Sequence, residues 1–126
     1  MKPTDNPTRI MVVDDEHDLT KVMKIALEEE GFSVDAFNSA KEALSKYEPS
    51  RYGLILLDIR MPEMNGFDLF REVKRKDSNA KICFLTAFDV YAGEFQKLFP
   101  NMKVEGFLTK PISISHLASE IRKITG

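Results

Sequence analysis

Two apolar patterns alternate along the chain. Short runs rich in β-branched and aliphatic residues recur at Arg9–Val13, Ser33–Phe37, Leu54–Leu57, Lys81–Leu85 and Glu105–Leu108, and read as strands. Leu54–Leu57 is apolar throughout, the pattern of a strand covered on both faces in the middle of a sheet. Between these runs the apolar spacing lengthens to that of helices. Leu19, Val22, Met23, Ala26 and Leu27 form one face within Asp18–Glu30, which Gly31 stops. Ser39 is placed to cap a second helix with the stripe Ala40, Ala43, Leu44 and Tyr47, ended by Pro49. Phe67, Phe70 and Val73 define a third, which runs into Lys74, Arg75 and Lys76, where basic residues complement the helix dipole. Ala87–Phe99 reads as a fourth, with Gly93 inside it. Ile114, Leu117, Ala118, Ile121 and Ile124 mark a fifth, with Ser113 as its cap.

Strands that alternate with helices predict an α/β fold, a five-stranded parallel doubly wound sheet built from (βα)5 units with right-handed crossovers. The units occupy 9–126 as one domain, behind a polar tail, 1–8, that holds Pro3 and Pro7 and is expected to be flexible. Composition narrows the function. A chain of 126 residues is one ordinary domain and buries enough surface to fold without a metal or disulfide staple. Its 18 basic and 20 acidic residues leave a net charge of −2, with no basic footprint for direct nucleic-acid binding. The single cysteine, Cys83, excludes an internal disulfide and a multi-cysteine zinc site, and its place in a strand makes it inert core. No apolar run approaches the ~20 residues needed to cross a bilayer, and the N-terminus lacks the apolar core of a signal peptide, so a cytoplasmic location is expected.

Ligands of open α/β sheets bind at the carboxyl ends of the strands. There the sequence places Asp14 and Asp15 after the first strand, Asp58 after the third, Thr86 after the fourth and Lys110 after the fifth. Three converging carboxylates raise one another's pKa unless a cation neutralises them. Mg²⁺, a hard cation that takes oxygen ligands, fits such a set. A metal and an ammonium together suit a phosphoryl group, whose oxygens Thr86 can hydrogen-bond. An aspartate is itself a competent nucleophile, ionised at neutral pH without a general base.

The stretches MVVDDE, LILLDIRMPEMNG, Thr86-Ala87 and GFLTKP, in that order and each at a strand end, resemble the response regulator receiver domain of two-component signalling, in its single-domain chemotaxis-regulator-like form. The resemblance covers about Arg9 to Ile124 and implies the flavodoxin-like strand order 2-1-3-4-5. It implies Asp58 as phosphoacceptor, with Asp14, Asp15, Asp58 and the backbone carbonyl of Arg60 holding Mg²⁺, or another divalent cation such as Mn²⁺. Thr86 and Lys110 would hold the phosphoryl group, Phe107 would be the aromatic that turns inward as Thr86 moves, and the bond before Pro111 would be cis. Because Phe107 lacks a tyrosine hydroxyl, that rotation would be governed by packing alone. The implied donor is a sensor histidine kinase or phosphotransfer protein. The implied output is an unidentified downstream protein, or a homodimer, bound through the fourth helix, fifth strand and fifth helix. On this reading the domain is not an enzyme acting on an external substrate; it undergoes only Mg²⁺-dependent self-phosphorylation and autodephosphorylation.

Plainer readings stand beside these. Asp14 and Asp15 suit a turn and helix cap, Thr86 a strand end and Lys110 a solvated surface. His17 and His116 read as helix-surface residues. Phe88, Tyr91, Phe95 and Phe99 form a stripe that is mostly core, with any exposed remainder a partner surface. Arg60 and the bulky Phe88 flank the acidic site and are expected to restrict hydrolytic water, slowing autodephosphorylation. Two other functions compete: an aspartate-nucleophile phosphatase and a constitutive interaction module. Arg60 stands where the phosphatase would need a second acid, and no nucleotide-binding glycine motif follows the first strand.

Overall fold

A computed structural model describes residues 7–87 and 91–126. Of the expected tail, residues 1–6 lie outside the described residues, as do Phe88 and the side chain of Tyr91. Five strands alternate with five helices: β1 (Arg9–Val13), α1 (His17–Glu29), β2 (Ser33–Phe37), α2 (Ala40–Lys46), β3 (Leu54–Leu57), α3 (Gly66–Lys76), β4 (Ile82–Thr86), α4 (Tyr91–Leu98), β5 (Gly106–Thr109) and α5 (Ile114–Thr125). The sheet is parallel throughout, in the order β2-β1-β3-β4-β5. Its register aligns the strand ends. Val13 lies opposite Phe37 and Leu57, and Thr86 opposite Thr109, so the residues that follow share one edge.

Alternating side chains send two cores to opposite faces. Met11, Val13, Ile55, Leu57, Ile82 and Phe84 pack under α2, α3 and α4. Ile10, Val12, Leu54, Leu56, Cys83 and Leu85 pack under α1 and α5. Burial pushes the Cys83 thiol up to about 12, so at neutral pH it stays a protonated core side chain. Ser39 and Ser113 cap α2 and α5, and Asn65 and Asp68 close a reciprocal capping box on α3.

Helix α1 keeps most of its expected face and departs from it at Val22. Its buried positions are Thr20, Met23 and Leu27, while Val22 is 59% exposed and Ile25 53% exposed. Met23, Leu27 and the partly buried Leu19 and Ala26 hold the stripe read from the sequence, while Val22 lies off it and a threonine occupies a core-facing place. Of the expected fourth helix, Ala87–Phe99, the described residues show Tyr91–Leu98 as helix and Ala87 outside it, while residues 88–90 lie outside the described residues. The helix ends follow local chemistry. Gly31, at φ 101°, lets its own N–H reach the Glu28 carbonyl and the Phe32 N–H reach that of Leu27, ending α1 in paired bonds that satisfy free carbonyls.

Candidate functional site

The edge defined by the strand ends gathers the expected groups. Asp14, Asp15 and Asp58 each present a carboxylate oxygen within 4.8 Å of the others. From β5, Lys110 Nζ donates to Asp14 Oδ2 at 2.6 Å and lies 4.0 Å from Asp58 Oδ1. The bond between Lys110 and Pro111 is cis. Asp15, Asp58, Arg60, Thr86 and Lys110 line a cavity of about 320 Å³ with Glu16 and Ala87. Thr86 is buried, and Arg60 is exposed at the cavity wall. Phe107 lies behind the site, stacked on Phe84 at 5.1 Å and edge-on to Phe95 at 5.7 Å.

Local structure explains how Asp58 is aimed. β3 is buried along its whole length, and Asp58 is the first residue past it. Its Oδ1 accepts the Ile59 N–H at 2.9 Å. Gly66, at the start of α3, packs directly beneath this turn and donates to the Ile59 carbonyl at 2.8 Å. A Cβ there would overlap the Asp58 carbonyl oxygen and come within 2.9 Å of the Ile59 Cα. Glycine at 66 is thus required by close approach of two backbones.

The electrostatics match a cation site. Burial pushes Asp58 up to about 6, and the neighbouring Asp14 charge adds to it, against the pull of Lys110 and the Ile59 N–H. Burial works against the Lys110 ammonium, but its hydrogen bond to Asp14 and the charges of Asp14, Asp58 and Glu16 outweigh that and raise its pKa. One lysine thus leaves the carboxylate cluster in excess of negative charge. Oxygen donors of this number and spacing suit a hard divalent cation.

Asp14 also fulfils its plainer reading. Its Oδ1 accepts the Glu16 N–H at 3.0 Å, fixing the turn into α1, whose cap is Glu16. His17 and His116 are exposed on their helices. Two side chains not singled out in the sequence reach the back of the acidic turn: Asn38 and the buried Thr20. A threonine at a core-facing helical position was the available signal, because a buried hydroxyl needs a partner.

A doubly wound sheet with an acidic cluster and a lysine at its carboxyl edge defines a receiver-type α/β domain. The family model of the response regulator receiver domain matches residues 10–122, and the chain belongs to that family, the receiver domains of two-component systems. Response regulator receiver protein CpdR of Brucella abortus is 33% identical over 117 residues, spanning 92% of this chain and 95% of that protein. Transcriptional regulatory protein TrcR of Mycobacterium tuberculosis is 32% identical over 117 residues, spanning 93% of this chain. The chain spans about half the length of several relatives it matches, including 45% of TrcR and 50% of the CpxR homolog of Haemophilus influenzae. Among solved structures, response regulator protein TrrA of Thermotoga maritima, in complex with Mg²⁺ and BeF, superposes with a TM-score of 0.79 at 31% identity, covering 93% of this chain and 98% of that one. No described helix is long and apolar enough to cross a membrane.

Proposed function

We propose that this receiver domain is a phosphorylation switch with Asp58 as the phosphoacceptor. The observation that carries the reading is the placement of Asp58 among Asp14, Asp15 and Lys110 at the carboxyl edge of the sheet. Asp14, Asp15 and Asp58, with the Arg60 carbonyl, would hold Mg²⁺ or Mn²⁺. When bound, such a cation neutralises charge on the phosphoryl oxygens and on the carboxylates around them. The TrrA structure supports this assignment by its Mg²⁺ and BeF.

With a pKa of about 6, Asp58 is mostly ionised at neutral pH and needs no base. The donor is a phosphohistidine of a sensor kinase or phosphotransfer protein. An Asp58 carboxylate oxygen forms the new bond to phosphorus as the bond from phosphorus to imidazole nitrogen breaks. The electron pair leaves on the imidazole. The Lys110 ammonium and the Thr86 hydroxyl then donate to phosphoryl oxygens. Thr86 and Phe107 form the switch, and the face made by α4, β5 and α5 changes affinity for a downstream protein or a second copy. Arg60, on the cavity wall, slows hydrolysis of the acyl phosphate by restricting water.

The test is incubation with acetyl phosphate and Mg²⁺, read by intact mass. A gain of one phosphoryl group that disappears in Asp58→Asn is expected. Unchanged mass with every phosphodonor, or a gain that survives in Asp58→Asn, overturns the reading.

A further inference from the structure

The acidic turn between β1 and α1 is held from behind by a hydrogen-bonded strut. Asn38, in the turn after β2, spends both hydrogens of its amide nitrogen. One goes to the Asp14 carbonyl at 2.9 Å and the other to Thr20 Oγ1 at 2.8 Å. Thr20 in turn donates to the His17 carbonyl at 3.1 Å, in the first turn of α1. Thr20 is 3% exposed, so its hydroxyl has no water to fall back on, and the chain of bonds satisfies it as both acceptor and donor. The Asp14 N–H donates to the Phe37 carbonyl at 3.1 Å, so β2 and its turn grip both main-chain polar groups of Asp14. With Oδ1 taken by the Glu16 N–H and Oδ2 by Lys110, every polar group of Asp14 is engaged.

From this geometry we infer that Asn38 and Thr20 are positioning residues for the acidic site, setting the turn so that the Asp15 and Asp14 carboxylates meet Asp58. The chemistry explains both residue types. Among uncharged side chains, only an amide offers two hydrogens on one nitrogen, in a fork that reaches a carbonyl and a hydroxyl together. Aspartate at 38 would offer no donor and would add a negative charge behind three others. Valine at 20 fills the space of threonine but leaves one of the two Asn38 amide hydrogens without its acceptor. Groups standing behind a metal ligand set its orientation, and losing one weakens the metal by about tenfold or more.

The inference rests on the cation reading of the site, and the experiment separates the two. Mg²⁺ affinity is measured by calorimetry at a temperature where every variant is folded, with amide hydrogen exchange at Asp15 and Glu16 as a second readout. Asn38→Ala and Thr20→Val are each expected to weaken Mg²⁺ about tenfold and to speed exchange at those amides. The double variant should be no weaker than the weaker single one, because both cut one strut. Thr20→Ser, which keeps the hydroxyl, should return to within about twofold of the parent. A purely structural role for either residue would lower melting temperature without moving Mg²⁺ affinity or the local exchange. Parent-like affinity and exchange in both single variants overturn the inference, as does a Thr20→Ser variant as weak as Thr20→Val. Should Asn38→Ala fail to fold, the Thr20 pair decides alone. If the parent itself binds no Mg²⁺, the cation reading falls, and the strut is judged by exchange at Asp15 and Glu16 in the same variants.

Discussion

Asp58 stands where an ionised carboxylate is costly, largely buried and next to Asp14, and its pKa of about 6 measures that cost. A carboxyl whose pKa rises on folding favours the folded state below its unfolded value, near 3.8, and loses that contribution as pH rises through 6. At pH 7.5 without divalent cations the charge therefore works against the fold. Asp58→Asn should raise the melting temperature there by a few degrees, the scale of ~1 kcal/mol in a domain of this size. The gain should shrink toward pH 4, and Mg²⁺ should stabilise the parent far more than the variant. Thermal melts across that pH range with and without Mg²⁺ check it, and a variant less stable than the parent at pH 7.5 would contradict it. Conflict of this kind between residue and fold is usual at functional sites. It also explains what was legible. Asp14, Asp58, Thr86 and Lys110 could be found because each stands at the end of an apolar run, directly after it or, for Lys110, one residue on, where a charge or hydroxyl breaks the pattern. Asn38 follows β2 just as directly, yet an asparagine in a loop is ordinary. Only its two acceptors, Asp14 and Thr20, distinguish it, and both lie far off in sequence.

At the scale of elements, the strands were legible to within a residue or so: β1, β3 and β4 are buried along nearly their whole length and read as apolar runs, while the partly buried edge strands β2 and β5 are marked by short apolar runs between polar breaks. The helices were less so. The stripe Leu19, Val22, Met23, Ala26 and Leu27 shares Met23 and Leu27 with the buried line Thr20, Met23 and Leu27, and which edge of it turns inward depends on packing against β2 and α5. The ends of α2 and α3 show a second long-range effect. Asp77, just past α3, accepts the Tyr47 hydroxyl at 2.9 Å, the Ser50 N–H at 3.0 Å and the Asn79 N–H at 3.1 Å. The Ser50 N–H above all, with the Tyr47 hydroxyl and the Asn79 N–H behind it, holds the Asp77 carboxyl below the usual range against the effect of burial. Burial first, and then Asp77, raise Tyr47, keeping its phenol protonated. A carboxyl depressed on folding contributes stability above its unfolded pKa, ~3.9, and loses it as pH falls through the folded value. The parent should therefore be more stable than Asp77→Asn at pH 7, with the difference closing as the pH falls below about 4. Urea denaturation at several pH values measures this, and a difference that stays constant down to pH 2.5 would contradict it.

Across the whole molecule the two cores are unequal in how they hold their helices. On one face α1 and α5 also pack on each other, and on the other α2 packs on α3. Helix α4 sits at the end of its layer, and its grip comes from Phe95, 1% exposed, and Phe99, 6% exposed, just beyond its end. These two rings meet Phe67 and Phe70 of α3 and, through Phe95, also Phe84 and Phe107. The rest of the helix from Gly93 to Leu98 is exposed. An element anchored, among the described residues, by so few side chains opens locally at lower cost than the global unfolding of the sheet. Gly93 lowers that cost further, because glycine inside a helix is less favourable than alanine by about 1 kcal/mol. Its Cβ position is open, with no heavy atom within 4 Å, so alanine there meets no obstacle. Gly93→Ala is therefore expected to slow hydrogen exchange of the α4 amides about fivefold, the equivalent of ~1 kcal/mol, while the buried amides of β3 and β4 change less. Were α4 to open only with the whole domain, both sets of amides would slow by the same factor. Unequal slowing would place a locally opening helix against Phe107, where the aromatic cluster joins it to the strand that ends in Thr86.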